Sequence, residues 1–230
     1  MNYEIFLFDA DGTLYDYNKA ESNALKITFD DHGFSYTDDV LLKYREINSR
    51  VWKDFENGKI SRSELQESRF NQLFNRFDIT CDANEFNSKY LYQLGKGSFL
   101  IEGALELCKS ICKQGKKIYI VTNGILATQT SRIKYSAITE YISDSFVSEQ
   151  IGYNKPHQAY FDYVFSHIPP VDKSKILIIG DSLEIDIAGG NNAGIDTCWL
   201  NLSTNDNDSN VIPTYEINSL SELHWFIKDS

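Results

Sequence analysis

Three short apolar runs, each stopped abruptly by polar residues, constrain this chain more than any other feature. They are YEIFLFD at 3–9, KIYIVTN at 117–123 and KILIIGD at 175–181. Runs of this length, bounded by Asp, Asn or Gly, read as strands buried on both faces. A fourth run, IDTCWL at 195–200, and two weaker ones near 145–147 and 214–217 extend the set. Helical stretches separate them at about 103–114, 156–167 and 184–192, and a closing helix is expected from Ser219, with Glu222 completing a capping box. Strands alternating with helices specify an α/β protein with a Rossmann-like parallel sheet.

Residues 15–98 break the rhythm and hold no convincing β run. Leu41, Leu42, Tyr44, Arg45, Ile47, Val51, Trp52 and Phe55 recur at helical spacing, as do Leu65, Arg69, Phe70, Leu73 and Phe77. Asn57-Gly58-Lys59 reads as a turn, and Ser61 with Glu64 reads as a capping box. The expected organisation is a sheet core formed by 1–14 and 99–230, with 15–98 inserted as a helical domain.

A formal net charge of -11 argues against a nucleic-acid polymer as partner, since backbone phosphates call for a basic face. It leaves a small phosphate ester open, because one metal ion and a few cations can reverse the field of a single pocket. No apolar run approaches the ~20 residues that span a bilayer, and the N-terminus lacks the features of a signal peptide. A cytoplasmic protein without membrane partners, a monomer or weak homodimer, is expected. The four cysteines form no CxxC pair and read as small buried hydrophobes in a reducing compartment.

The strand ends carry Asp9-Ala10-Asp11-Gly12-Thr13, Thr122-Asn123-Gly124 and Gly180-Asp181. In a parallel sheet these ends open on one crevice, so three distant segments deliver carboxylates and a hydroxyl to one place. A calcium loop of the EF-hand type does not fit: counting from Asp9, glycine falls fourth and Ala20 occupies the twelfth position. A plain acidic turn would account for Asp9 to Thr13 alone, but not for the convergence.

Phe8-Asp9-Ala10-Asp11-Gly12-Thr13-Leu14 resembles the first motif of the haloacid dehalogenase superfamily, and Thr122-Asn123-Gly124 resembles the second. Lys155-Pro156 is similar to the third and Gly180-Asp181 with Asp186 to the fourth, all in the superfamily's order. The resemblance implies that the Asp9 and Asp181 carboxylates and the Asp11 backbone carbonyl hold Mg²⁺, a hard ion suited to oxygen ligands. It implies that Asp9 attacks phosphorus and that Asp11 protonates the leaving oxygen and then deprotonates the attacking water. Thr122 and the Asn123 backbone N–H would bind phosphoryl oxygens, Lys155 would supply positive charge, and Asp186 would orient Lys155 or a metal-bound water.

Members that cleave carbon–halogen bonds lack an acid at the place of Asp11, so the resemblance implies phosphate chemistry. Trp52 to Ile60, Leu65 with Arg69 and Phe70, and Asp186 to Asn201 are similar to pyrimidine nucleoside monophosphate phosphatases; Gln129-x2-Arg132 fits as well. The implied activity is a 5'-nucleotidase acting on a small nucleoside monophosphate. The alternatives are a sugar phosphomutase of the β-phosphoglucomutase type and a phosphoglycolate-type phosphatase. Arg69 is a candidate for contacting the substrate from the cap.

Overall fold

A computed structural model describes residues 3–227. The chain divides into two compact units: residues 1–17 with 98–230, and residues 18–97.

The first unit is built on six parallel strands: β1 (Ile5–Phe8), β2 (Lys117–Thr122), β3 (Asp144–Val147), β4 (Ile176–Gly180), β5 (Asp196–Leu200) and β6 (Tyr215–Ile217). Their order is β3-β2-β1-β4-β5-β6. β1 is therefore central, hydrogen-bonded to β2 on one side and β4 on the other, with Phe8 level with Ile120 and Ile179. Connections leave β1 in opposite directions at this point, which opens a crevice at its C-terminal end.

Alternation along the strands explains the continuous apolar runs. Phe6, Phe8, Ile118, Ile120, Leu177 and Ile179 enter one core, while Ile5, Leu7, Tyr119, Val121, Ile176 and Ile178 enter another. Successive side chains of a strand point to opposite faces, so two covered faces demand apolar residues at every position. The helix α5 (Ala104–Lys113) packs Leu107, Cys108 and Ile111 into the first core. The helix α8 (Gln158–His167) packs Tyr160, Phe161 and Val164 into the second. Shorter helices complete the unit: α6 (Leu126–Lys134), α7 (Ser148–Ile151), α9 (Ala188–Ala193) and α10 (His224–Ile227).

Two elements depart from the expectation. The stretch expected as a regular helix from about 184 opens instead with a π-helical turn at Leu183–Ile187, and α9 begins only at Ala188. The closing segment keeps its Ser219–Glu222 capping box but starts as a 3₁₀ turn at Leu220–Leu223 before α10.

The second unit holds most of α1 (Tyr17–Asp31) together with α2 (Asp38–Glu56), α3 (Arg62–Arg76) and α4 (Ala83–Lys96). Both oxygens of the Ser61–Glu64 box are in use: the Ser61 hydroxyl accepts from the Glu64 N–H and the Glu64 carboxylate accepts from the Ser61 N–H. Aromatic rings form the core, with Phe70 4.8 Å from Phe86 and 5.2 Å from Tyr90, and Tyr44 stacked on Phe70 at 5.3 Å. Leu42, read from its spacing as part of the apolar face of α2, is 65% exposed. Among the described residues no helix is long and apolar enough to cross a membrane.

The central position of β4 sets an expectation for stability. Leu177 is fully buried in the first core. Leu177→Ala should lower unfolding free energy by about 2–5 kcal/mol, the range for a buried leucine truncated without collapse of the cavity. The check is the urea midpoint at unchanged slope.

Candidate active site

Asp9 follows β1 directly, and its N–H donates to the Ile179 carbonyl at 2.9 Å, so the register of the sheet places it. The chain then turns through Gly12, whose φ of +86° lies in the left-handed region. A side chain is excluded there for a second reason: a Cβ on Gly12 would lie 2.5 Å from an oxygen of Asp181. The first loop and the Asp181 loop are thus packed backbone against carboxylate. Asp181 is held from behind by Trp199, whose indole N–H donates to the Asp181 carbonyl at 2.9 Å.

Lys155 arrives from the loop before α8 and is almost fully buried. Its ammonium donates to Asp9 Oδ1 at 2.7 Å, to Asp186 Oδ1 at 2.6 Å and to the Val121 carbonyl at 2.7 Å. Three protons meet three acceptors, the full capacity of an ammonium. The Asn123 side chain fixes the loop: its amide oxygen accepts from the Lys155 N–H at 2.8 Å and its NH₂ donates to the Lys155 carbonyl at 2.9 Å. Asp186, buried in the π-helical turn, accepts from the Ser182 N–H at 3.1 Å with its other oxygen. Gly180 makes room, since a Cβ there would overlap the Asp186 carboxylate. Thr122 ends β2, and its hydroxyl oxygen accepts from the Gly124 N–H at 3.0 Å.

Electrostatics follow from this packing. Burial is the largest influence on Asp9 and pushes its carboxyl well above the ordinary range; the Lys155 ammonium opposes this, and the charges of Asp186 and Asp181 reinforce it. Burial disfavours the Lys155 ammonium, but Asp186 and Asp9 outweigh it and the net shift is upward. Asp181 keeps an edge open to solvent. Even so, partial withdrawal from water, followed by the charge of Asp186, pushes its carboxyl up to about 7.

Asp9, Asp181 and Asp186 each offer an oxygen within 4.8 Å of the others. Three carboxylates against one ammonium leave an excess of negative charge that a divalent cation relieves. Both Asp186 oxygens already accept hydrogen bonds. Asp9 and Asp181 are therefore the better-placed ligands, and their hard oxygens suit Mg²⁺.

The structure thus brings Asp9, Lys155, Asp181 and Asp186 together, with Asn123 bound to the Lys155 loop. Asp11 turns its carboxylate to α6: Gln129 Nε2 donates to one oxygen and Arg132 Nη1 to the other. The spacing of Gln129 and Arg132 was visible in the sequence, but a pair three apart on a helix does not show what it grips. Arg69 was expected to contact the substrate from the cap. It is 1% exposed inside the second unit, donating to Asn48 at 3.0 Å and Asn87 at 2.9 Å, with Tyr44 at 3.5 Å. The guanidinium is thus packed among polar side chains of the helical core.

Comparison with known proteins agrees with this geometry. The family model of haloacid dehalogenase-like hydrolases matches residues 6–200. YfnB of Bacillus subtilis, described as a HAD-hydrolase, is 41% identical over 225 residues, covering 98% of this chain and 95% of its own. The pyrimidine 5'-nucleotidase PynA of Streptococcus pneumoniae is 37% identical over 223 residues (97% and 94%). The pyrimidine 5'-nucleotidase YjjG of Escherichia coli is 31% identical over 227 residues (99% and 99%). The crystal structure of YfnB bound to magnesium superposes with a TM-score of 0.93 over the whole of both chains.

The carboxylate cluster makes cation binding measurable without turnover. Mg²⁺ should raise the melting temperature, since a hundredfold excess over its Kd stabilises the folded state by about 2.7 kcal/mol. Asp181→Asn should remove most of that shift in differential scanning fluorimetry. An unchanged shift in the variant would place the cation elsewhere.

Proposed function

The chain belongs to the haloacid dehalogenase-like hydrolases, and on that basis we propose that it is a magnesium-dependent phosphatase whose substrates are pyrimidine nucleoside 5'-monophosphates. The observation that carries the reading is the environment of Asp9. It directly follows the central strand, Lys155 sits on one of its oxygens, and a second acid stands two residues on at Asp11. Displacing a halide needs no proton donor, whereas expelling an alkoxide from phosphorus does.

In the proposed reaction the free oxygen of Asp9 attacks phosphorus. The bond from phosphorus to the ester oxygen breaks, and that oxygen takes the proton of Asp11 and leaves as the nucleoside hydroxyl. Asp11, now a carboxylate, takes a proton from water as the water oxygen attacks the phosphoryl group on Asp9. Inorganic phosphate departs, and both aspartates return to their starting states. Lys155 holds Asp9 in place and offers positive charge to the phosphoryl oxygens, helped by the Thr122 hydroxyl and the Asn123 N–H. Asp186 orients Lys155. Asp9, Asp181 and the Asp11 carbonyl would hold Mg²⁺, which supplies charge that lowers the electrostatic barrier to an anionic nucleophile.

The substrate class rests on PynA and YjjG, both pyrimidine 5'-nucleotidases similar to this chain over nearly its whole length. A panel of phosphate esters assayed for released phosphate with Mg²⁺ tests it. Uridine and thymidine monophosphates should exceed sugar phosphates and phosphoglycolate in kcat/KM; the reverse order would overturn the substrate assignment. Asp9→Asn should abolish release from every ester while the protein still folds, as a single cooperative melting transition checks.

A further inference from the structure

The grip of α6 on Asp11 is not explained by the fold alone. Gln129 and Arg132 are 1% and 0% exposed, yet both reach the same partly exposed carboxylate, one donor on each oxygen. The path is cleared for them: a Cβ on Gly124 would overlap the Gln129 amide, so Gln129 crosses that backbone only because Gly124 has no side chain. The start of α6 is tied down by Glu149, whose carboxylate accepts from the Leu126 N–H at 2.6 Å. The Arg132 guanidinium lies 5.5 Å from the ring centroid of Tyr15, a residue of the loop that carries Asp11. That loop is closed on itself by the Gly12 N–H donating to the Tyr15 carbonyl at 2.9 Å.

Burying a guanidinium for a single carboxylate is a poor source of stability. The Arg132 Nε and Nη2 and the Gln129 Oε1 are buried with no hydrogen-bond partner among the described residues. Unmet polar groups of this kind cost free energy, and an apolar side chain of similar size would avoid that cost. What the arrangement secures is direction: two donors on two oxygens fix the plane of the Asp11 carboxylate.

We propose that Gln129 and Arg132 are positioning residues that aim the Asp11 carboxyl for its two proton transfers. The inference rests on the phosphatase reading, with Asp11 as acid and base. With substrate bound and Asp11 protonated, the oxygen that carries the proton gives up its donor and turns that proton to the ester oxygen, while the donor on the other oxygen keeps the group from swinging away. Both residues act through Asp11, so their loss is expected in the proton transfers and not in substrate binding.

The test compares uridine 5'-monophosphate with p-nitrophenyl phosphate, whose leaving oxygen departs without a proton. In Arg132→Met and Gln129→Leu, kcat/KM for the nucleotide should fall on the order of tenfold to a hundredfold, part of what a general acid contributes. For p-nitrophenyl phosphate the fall should be several times smaller, and the Mg²⁺-induced melting shift should be unchanged. Arg132→Lys should recover part of the nucleotide activity. Added to Asp11→Asn, Arg132→Met should cost nothing further, as expected of groups acting through one another. Equal losses on both esters, or an additional loss in the double variant, would overturn the inference. If Arg132→Met does not fold, Gln129→Leu carries the same comparison. The two readings fail separately. Activity surviving in Asp9→Asn sinks the phosphatase mechanism. A loss selective for the nucleotide that appears in Asp11→Asn but in neither α6 variant sinks only the positioning role.

Discussion

The first unit depends on one buried contact: the Lys155 ammonium set between Asp9 and Asp186 and closed by the Val121 carbonyl. Taking a lysine and two aspartates out of water costs several kcal/mol per ion, and only close geometry with complete hydrogen bonding offsets it. The local architecture serves that geometry. Asn123 bonds both ways to the Lys155 backbone, the π-helical turn brings Asp186 inward, and the absent side chain of Gly180 lets it approach. Four segments far apart in the chain are thereby held around one carboxylate at the end of β1.

The same packing leaves the cluster unfinished. One ammonium does not balance three carboxylates, and both Asp9 and Asp181 are pushed above their ordinary range. A hard divalent cation completes the charge, and Lys155 keeps one Asp9 oxygen aligned while the other remains for chemistry. Stability and function pull in opposite directions here. Apolar residues of similar volume would hold the loops more cheaply, but they would provide neither a poised carboxylate nor a field for a phosphoryl group.

Much of this was readable from the residues alone. The strands were legible because burial on both faces of a parallel sheet forces uninterrupted apolar runs, and the polar residues at their ends could then only meet in the crevice. Asp9, Thr122 and Asp181 are such residues, whereas Lys155, in the loop before α8, was marked only by its resemblance to the third motif. The Ser61–Glu64 and Ser219–Glu222 boxes were legible because a cap is a local contact. What was hidden depends on contacts over long separations or on small changes of helical pitch. The π-helical turn has no periodic signature in five residues. The Asn123 side chain bonds to a loop 32 positions away, and Gln129 reaches Asp11 across 118. The surroundings of Arg69 were hidden too, because a charged residue on an amphipathic helix gives no sign that two asparagines and a tyrosine await it inside.

The covalent step on Asp9 is the centre of the proposed reaction, and trapping it is the most direct measurement. Enzyme mixed with Mg²⁺ and phosphate-labelled uridine 5'-monophosphate would be quenched in acid within a turnover, reduced with borohydride and mapped by peptide mass spectrometry. The account requires the label, and then the reduction product, on the peptide containing Asp9, with none in Asp9→Asn. Substrate turnover at full rate with no modified Asp9 at any quench time, or with the label on another residue, would contradict it.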